Sequence, residues 1–357
     1  MEKTMVYIGS YSAVSGEGIY SFVLDGTTGQ LTPQFAPIQV RNPSYLSLSS
    51  SKQYLYAVLE TSELNGISGG GVAAYAINDN GSLTPINSRN TYGSDPCYLS
   101  TDSGNSFLVA ANYGSGSFSV FPIEQQGAIK PCSLVVNHTG SGHDPERQAS
   151  PHVHFSDFTP DGELICAVDL GLDEVKFYHL DKRTGDLQID DKLTITLHPG
   201  SGPRHLVFRE QGEWVYIVTE LSSEIAVFKY IDGQYKPRQY LSTLPADFKE
   251  NNAAAALHLS PNGQFLYVSN RGHDSIAAFK VGEDGLLAQC GIYPAHGRGP
   301  RDFAINPQGD FLLVANEQSN EVVVLKLDSI SGALAPTGIS IKLHSPTCIQ
   351  FLAINEA

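Results

Sequence analysis

Several kinds of residue pattern are scarce in this sequence, and each scarcity excludes something. Five cysteines, Cys97, Cys132, Cys166, Cys290 and Cys348, lie far apart with no Cys-x-x-Cys among them, so neither a disulfide framework nor a zinc ribbon is expected. A reducing compartment fits. Basic residues number 22 against 37 acidic ones, a net charge of −15 over 357 residues, which repels phosphate backbones and anionic lipid. Neither nucleic acid nor a membrane is an expected partner. The opening Met1-Glu2-Lys3-Thr4-Met5 carries no basic n-region followed by a long apolar stretch, and no later segment is a long uncharged apolar run. The expectation is a soluble cytoplasmic chain, in which the Asn137-His138-Thr139 sequon is incidental. Helical periodicity is hardly visible anywhere.

What is present is a repeat. An apolar run ending in a small or polar pair recurs as Val6-Tyr7-Ile8-Gly9-Ser10-Tyr11, Leu55 to Glu60, Leu108 to Tyr113, Ile165 to Leu170, Val215 to Glu220, Leu266 to Arg271 and Leu312 to Glu317, seven copies in all. Their spacing of roughly 45–55 residues is that of four-stranded propeller blades. Turns such as Pro160-Asp161-Gly162, Pro261-Asn262-Gly263 and Pro307-Gln308-Gly309 join a first strand to the second, with glycine where φ is positive. Gly81, Gly127, Gly185 and Gly332 mark the turn before an outer strand. The chain starts on a second strand and ends on an orphan first strand, Thr347 to Leu352, so pairing the two closes a ring without open edges. The expected fold is all-β, a seven-bladed β-propeller of four-stranded antiparallel blades forming one domain over residues 1–357. The tryptophan-aspartate signature of WD-type repeats is missing, since Trp214 is the only tryptophan and no aspartate follows it.

Aligned on the hairpin glycine, the copies put Ser44, Cys97, His154, Arg204, Ala255, Arg301 and Thr347 at the start of strand one. Tyr11, Glu60, Tyr113, Leu170, Glu220, Arg271 and Glu317 end strand two. Antiparallel neighbours bring start and end together, so both columns are expected at one mouth of the central channel. Several arginines gathered in an acidic protein point to a small anionic ligand, because guanidinium forks grip carboxylate or phosphate. Paired arginines and glutamates around a solvated channel are the plainer alternative. His152 and His154, at i and i+2, admit three readings: a general base, the start of a metal site that lacks a third ligand at telling spacing, or hydrogen-bonded strand histidines. The long connection from Lys130 to Ser150 arrives at the same mouth, where Arg147 or Gln148 would cover a ligand. Asn112, Asn270 and Asn316 are candidates for sugar hydroxyls. The glycines of Gly69-Gly70-Gly71 and Gly114-Ser115-Gly116 open no helix and read as turns.

Gly202-Pro203-Arg204-His205-Leu206, Ser269-Asn270-Arg271-Gly272-His273-Asp274-Ser275-Ile276, the His138 to Gln148 loop and Ser150-Pro151-His152-Val153-His154 together resemble the propeller-type lactonase family. That family includes the cycloisomerase-type 6-phosphogluconolactonases and the fungal carboxymuconate cyclases. The resemblance covers essentially the whole chain and implies a seven-bladed propeller that hydrolyses or forms a lactone without an organic cofactor. It also implies an active group of a histidine, two arginines and a glutamate, matched here by His154, Arg204, Glu220 and Arg271. Arg301, His152, Arg147, Gln148, Asn270, Asn316 and Glu317 complete the expected substrate-binding set, with no metal and no obligate protein partner. The expected reaction is hydrolysis of 6-phospho-glucono-1,5-lactone. A muconate-type cycloisomerase, another sugar lactonase and a non-catalytic scaffold are the alternatives.

Overall fold

Each of the seven apolar runs is a β-strand: Lys3–Ser10, Tyr54–Leu59, Phe107–Asn112, Leu164–Asp169, Trp214–Thr219, Phe265–Arg271 and Phe311–Asn316. They are apolar at nearly every position because both of their faces are covered. In Phe311–Asn316, Leu312 and Val314 enter one core cluster with Phe265, Tyr267 and Phe303, whereas Phe311, Leu313 and Ala315 enter another with Val6, Ile8 and Phe22. The period-2 alternation of a strand thus divides its residues between two cores. Truncating either kind of leucine to alanine costs about 2–5 kcal/mol.

The computed structural model describes residues 3–12 and 14–354. Among them there is no α-helix, only one short 3-10 turn, Glu210–Gly212, and no helix long and apolar enough to cross a membrane. The chain forms two compact units, one of Met1–Pro43, Ser223–Ile225 and Gln239–Ala357, the other of Ser44–Ser222 and Ala226–Arg238. The first holds the strands Lys3–Ser10, Phe265–Arg271 and Phe311–Asn316. The second holds Tyr54–Leu59, Phe107–Asn112, Leu164–Asp169 and Trp214–Thr219.

Each of these strands is the second of an antiparallel sheet, so seven sheets stand where seven blades were expected. Six have four strands, and in the seventh the outer position is shared by Leu187–Ile189 and Ile195–Thr196, which pair with the same third strand. The expected closure is present: Lys3–Ser10 pairs antiparallel with Pro346–Ile354, from Lys3 opposite Ile354 to Ser10 opposite Pro346. The hairpin glycines Gly162, Gly263 and Gly309 have φ of 71°, 67° and 75°, a region that side chains enter only at a cost. One expectation needs correcting. The outer strand Leu134–Asn137 lies inside the stretch read as a connection from Lys130, so the connecting loop begins at His138.

The start of strand one carries a feature the repeat pattern did not reveal. Cys97, His154, Arg204, Arg301 and Thr347 are each the extra residue of a β-bulge: Pro96, Val153, Pro203, Pro300 and Pro346 pair with strand two, the next residue is skipped, and pairing then resumes. A bulged residue is released from the ladder and its side chain is re-aimed. In four of these strands the residue before it is proline, which has no N–H to give a ladder and is tolerated at a strand's first position. Strand two closes against the same spot: the amides of Tyr113, Leu170, Glu220, Glu317 and Tyr11 donate to the carbonyls of Asp95, His152, Gly202, Gly299 and Ser345 at 2.7–3.1 Å. Within each unit, then, the two columns meet as antiparallel pairing requires.

Candidate active site

In the unit of Ser44–Ser222 the bulge at Arg204 turns its guanidinium inward, and only 2% of that side chain is exposed. A charge so enclosed needs a partner, since an isolated buried ion is worth several kcal/mol of destabilisation. Glu220 supplies it: its Oε2 lies 3.2 Å from Arg204 Nε, an ion pair in which the Nε–H is off line for a hydrogen bond. The other carboxylate oxygen accepts from Arg147 Nη2 at 2.6 Å. Arg147 is 43% exposed and also donates to the Tyr113 hydroxyl at 3.3 Å. Partial burial works against its charge, but the bonds to Glu220 and Tyr113 outweigh that and hold its pKa above the ordinary arginine value. One carboxylate thus sits between two guanidiniums, and the group has a net positive charge. Arg204 Nη1 approaches His205 Nε2 at 3.2 Å. Because a guanidinium can only donate, His205 Nε2 is the acceptor and its proton is on Nδ1.

His154, the neighbouring bulge residue, is buried at 5% exposure. Its ring meets Tyr113 edge to face at 5.5 Å and His205 at 5.2 Å, and its Nδ1 is 3.7 Å from Cys97 Sγ. His152 does a different job. Its ring stacks on Tyr113 at 4.5 Å and its Nδ1–H donates to the Tyr113 carbonyl at 3.0 Å, so it buttresses Tyr113. Below them, Tyr45, Tyr98 and Phe155 form a run of ring contacts that ends on His205.

The loop that delivers Arg147 is tied down at both ends. At its start His138 Nδ1 meets Asp169 Oδ2 at 2.6 Å, and the Tyr178 hydroxyl lies 2.9 Å from His138 Nε2. Asp169 is fully buried, and its other oxygen accepts the amides of His152 and Gly171 at 2.8 and 2.9 Å. Burial, reinforced by the Asp169 charge, pushes the Tyr178 phenol above its usual range. Asp144 caps the turn by accepting the amides of Arg147 and Glu146, which lower its pKa. Gln148 is fully buried: its Oε1 accepts from the amides of His143 and Asp144, while its Nε2 donates to the Leu170 carbonyl and to Asp173. With its amide group occupied in this way, Gln148 holds the loop, and of the two loop residues expected to cover a ligand Arg147 is the exposed one.

In the other unit Arg301 Nη1 stands 3.7 Å from Glu317 Oε2, with side chains 16% and 24% exposed, and its guanidinium lies over the Tyr11 ring at 5.2 Å. Arg271 is half-buried and its Nε donates to the Ala253 carbonyl at 3.3 Å. Asn270 and Asn316 are fully buried, as is Asn112 in its own unit. Asn270 bonds Thr243 and Asn252, Asn316 donates to the Ala295 carbonyl, and Asn112 donates to Ser117 and Ser119. These asparagines fasten chain segments through their side-chain amides, while Asn112 Oδ1 and Asn316 Oδ1 are buried with no hydrogen-bond partner among the described residues. Among the described residues no group of three or more His, Cys, Asp or Glu side chains is gathered as a metal ion would need.

Tyr113, Cys97 and His205 are the neighbours that sequence reasoning passed over. The first two stood in the aligned columns and were not selected, and the third directly follows Arg204. The signal available was the proline before the column residue in Pro96-Cys97, Pro203-Arg204, Pro300-Arg301 and Pro346-Thr347, which marks where a bulge re-aims a side chain.

The family described as “Lactonase, 7-bladed beta-propeller” matches residues 5–351. The chain belongs to that family. Among other lactonases it is 36% identical over 356 residues to the 6-phosphogluconolactonase of Bacillus subtilis (strain 168), with 99% of each chain covered. It is 34% identical to the 6-phosphogluconolactonase of Formosa agariphila, covering 98% of this lactonase and 100% of that one. The solved structure of the periplasmic gluconolactonase of Pseudomonas aeruginosa superposes with a TM-score of 0.93 at 33% identity, over 99% of this chain and 100% of the other.

Proposed function

We propose that this lactonase is a 6-phosphogluconolactonase that opens 6-phospho-glucono-1,5-lactone to 6-phosphogluconate, acting as one propeller domain in the cytoplasm. The observation that carries the reading is the buried Arg204–Glu220 pair, capped by the exposed Arg147, beside the enclosed imidazole of His154. Full-length similarity to two 6-phosphogluconolactonases supports the substrate.

In this reading His154 takes a proton from water as the oxygen attacks C1 of the lactone, a task for which a neutral imidazole has a basic ring nitrogen. The carbonyl electrons move to oxygen, and Arg204, already held in place by Glu220, faces the developing negative charge. The intermediate collapses, the bond from C1 to the ring oxygen breaks, and the proton held on His154 passes to that oxygen. The products are a carboxylic acid and a free hydroxyl, and the imidazole is neutral again. Glu220 positions both guanidiniums. Arg147, 43% exposed, is assigned to the substrate phosphate.

The test is lactone hydrolysis above the spontaneous rate by wild type and His154→Ala, with 6-phospho-glucono-1,5-lactone as substrate. Loss of the enzymatic rate in the variant is expected; a full rate would remove His154 from the mechanism. The periplasmic gluconolactonase relative motivates a second reading, with unphosphorylated glucono-1,5-lactone as substrate. Comparing kcat/KM for the two lactones separates them, a clear preference for the phosphorylated one being the expected result.

A further inference from the structure

Cys97 holds the bulge position one sheet before His154. Its side chain is buried and in no disulfide. The sulfur makes two contacts with the same residue: it is 3.4 Å from the His154 carbonyl oxygen and 3.7 Å from His154 Nδ1. These contacts are of opposite character. A carbonyl oxygen only accepts, and a thiol has one proton to give, so the S–H is directed at the carbonyl. The sulfur then faces Nδ1 with lone pairs, and a second lone pair on that nitrogen would be repelled.

We propose that Cys97 is a positioning residue that fixes neutral His154 in the tautomer with its proton on Nδ1. The Nε2 nitrogen then carries the lone pair that receives the proton of water. The edge-to-face contacts of the ring with Tyr113 and His205 hold the imidazole plane in the same orientation. Which ring nitrogen is basic is set by what the other one bonds, and sulfur, a weak acceptor, does this without pulling the proton away as a carboxylate would. The role rests on the reading of His154 as the group that handles the proton.

The experiment labels histidine with 15N and reads the His154 tautomer by long-range 1H–15N correlation in wild type, Cys97→Ala and Cys97→Ser, beside kcat and KM for 6-phospho-glucono-1,5-lactone. Wild type is expected to show Nδ1–H. Cys97→Ala should mix the tautomers and lower kcat about tenfold with KM within about twofold, as fits loss of the correct base form rather than of binding. Cys97→Ser, whose hydroxyl has the same capacity to donate once and accept, should restore most of the loss. An Nε2–H tautomer in wild type, or an unchanged tautomer in Cys97→Ala, overturns the proposal. So does abolition of turnover by both variants together with an acyl adduct on Cys97 in wild type, because the sulfur would then be a nucleophile. The wild-type spectrum needs no variant to fold. Full activity of His154→Ala would sink the base assignment while leaving the tautomer result standing, so the two failures are distinguishable.

Discussion

Arg204 and Arg301 occupy the same position of their strands, each the extra residue of a bulge one step after a proline, yet the two units treat them differently. Arg204 is enclosed, 2% exposed, with Glu220 at 3.2 Å and His205 accepting from it. Arg301 is 16% exposed, its glutamate is 3.7 Å away and 24% exposed, and it leans on the Tyr11 ring. A buried guanidinium cannot trade its partner for water without a large penalty, so Arg204 is a fixed feature of the protein. A longer pair that is partly open to water is held less tightly than an enclosed one, because solvent weakens the attraction between its charges. One backbone device therefore yields both a preorganised charge and an available one.

The largest effect should come from the enclosed side. His154→Ala is expected to lower kcat by roughly 10²–10⁴-fold, the usual contribution of a positioned acid or base, whereas Arg301→Ala should lower kcat far less. If the two variants lose kcat equally, the distinction between a fixed and an available side disappears. Next comes stability. Glu220→Gln leaves Arg204 buried with less compensating charge and should cost about 3–5 kcal/mol, and Glu317→Gln, whose pair is longer and more open to water, should cost less. Urea unfolding of both variants checks this, and equal losses would mean that burial does not separate the pairs.

A third test asks whether enclosure extends along the strand that carries His154. Asp157, only partly open to solvent, has its carboxyl pKa lifted to about 6 by burial, over weaker opposing bonds from the Ser100 hydroxyl and the Phe158 amide. The unfolded value is about 3.9. The folded state therefore holds the proton more tightly than the unfolded one, and this contribution to stability is fully present below pH ~4 and lost as pH rises through about 6. Asp157→Asn should remove that loss, gaining up to roughly 2–3 kcal/mol on wild type between pH 4 and pH 8. Parallel pH profiles of the two proteins would show that Asp157 is not enclosed. The smallest effect is expected at the boundary between fixed and available groups. Tyr113→Phe keeps the ring against His152 and His154 but removes the hydroxyl that Arg147 donates to. KM for the phosphorylated lactone should rise by about 3–10-fold, the net worth of one ordinary hydrogen bond partly open to water, with kcat within about twofold. A fall in kcat alone would reassign the hydroxyl to the chemical step.

The strand pattern was legible because both faces of each second strand are covered, so runs such as Phe311 to Asn316 are apolar enough to find by eye. Turn glycines and the pairing of the two chain ends were legible for equally local reasons. The columns were legible too, since antiparallel pairing leaves no choice about which ends meet. Burial within a column was not. Nothing in the alternation distinguishes Asn270 or Gln148, which are buried among hydrogen bonds, from Arg147, which is open, because that difference depends in part on segments elsewhere in the chain, such as Leu170 and Asp173 for Gln148. The same holds for Cys97, whose importance comes from a contact with His154 across 57 positions.

The bulge has a consequence for how such a protein can change. Because the extra residue makes no ladder bonds, its identity is decoupled from the sheet, and cysteine, histidine, arginine and threonine all occupy the same seat without altering the strands beside it. A substitution there rewrites the chemistry presented to a ligand without disturbing the ladder, although at Arg204 it also leaves the buried Glu220 carboxylate without that guanidinium and costs stability. The scaffold thus behaves as a row of interchangeable sockets, and new specificities should be reachable from this chain by single replacements at the residue that follows the proline.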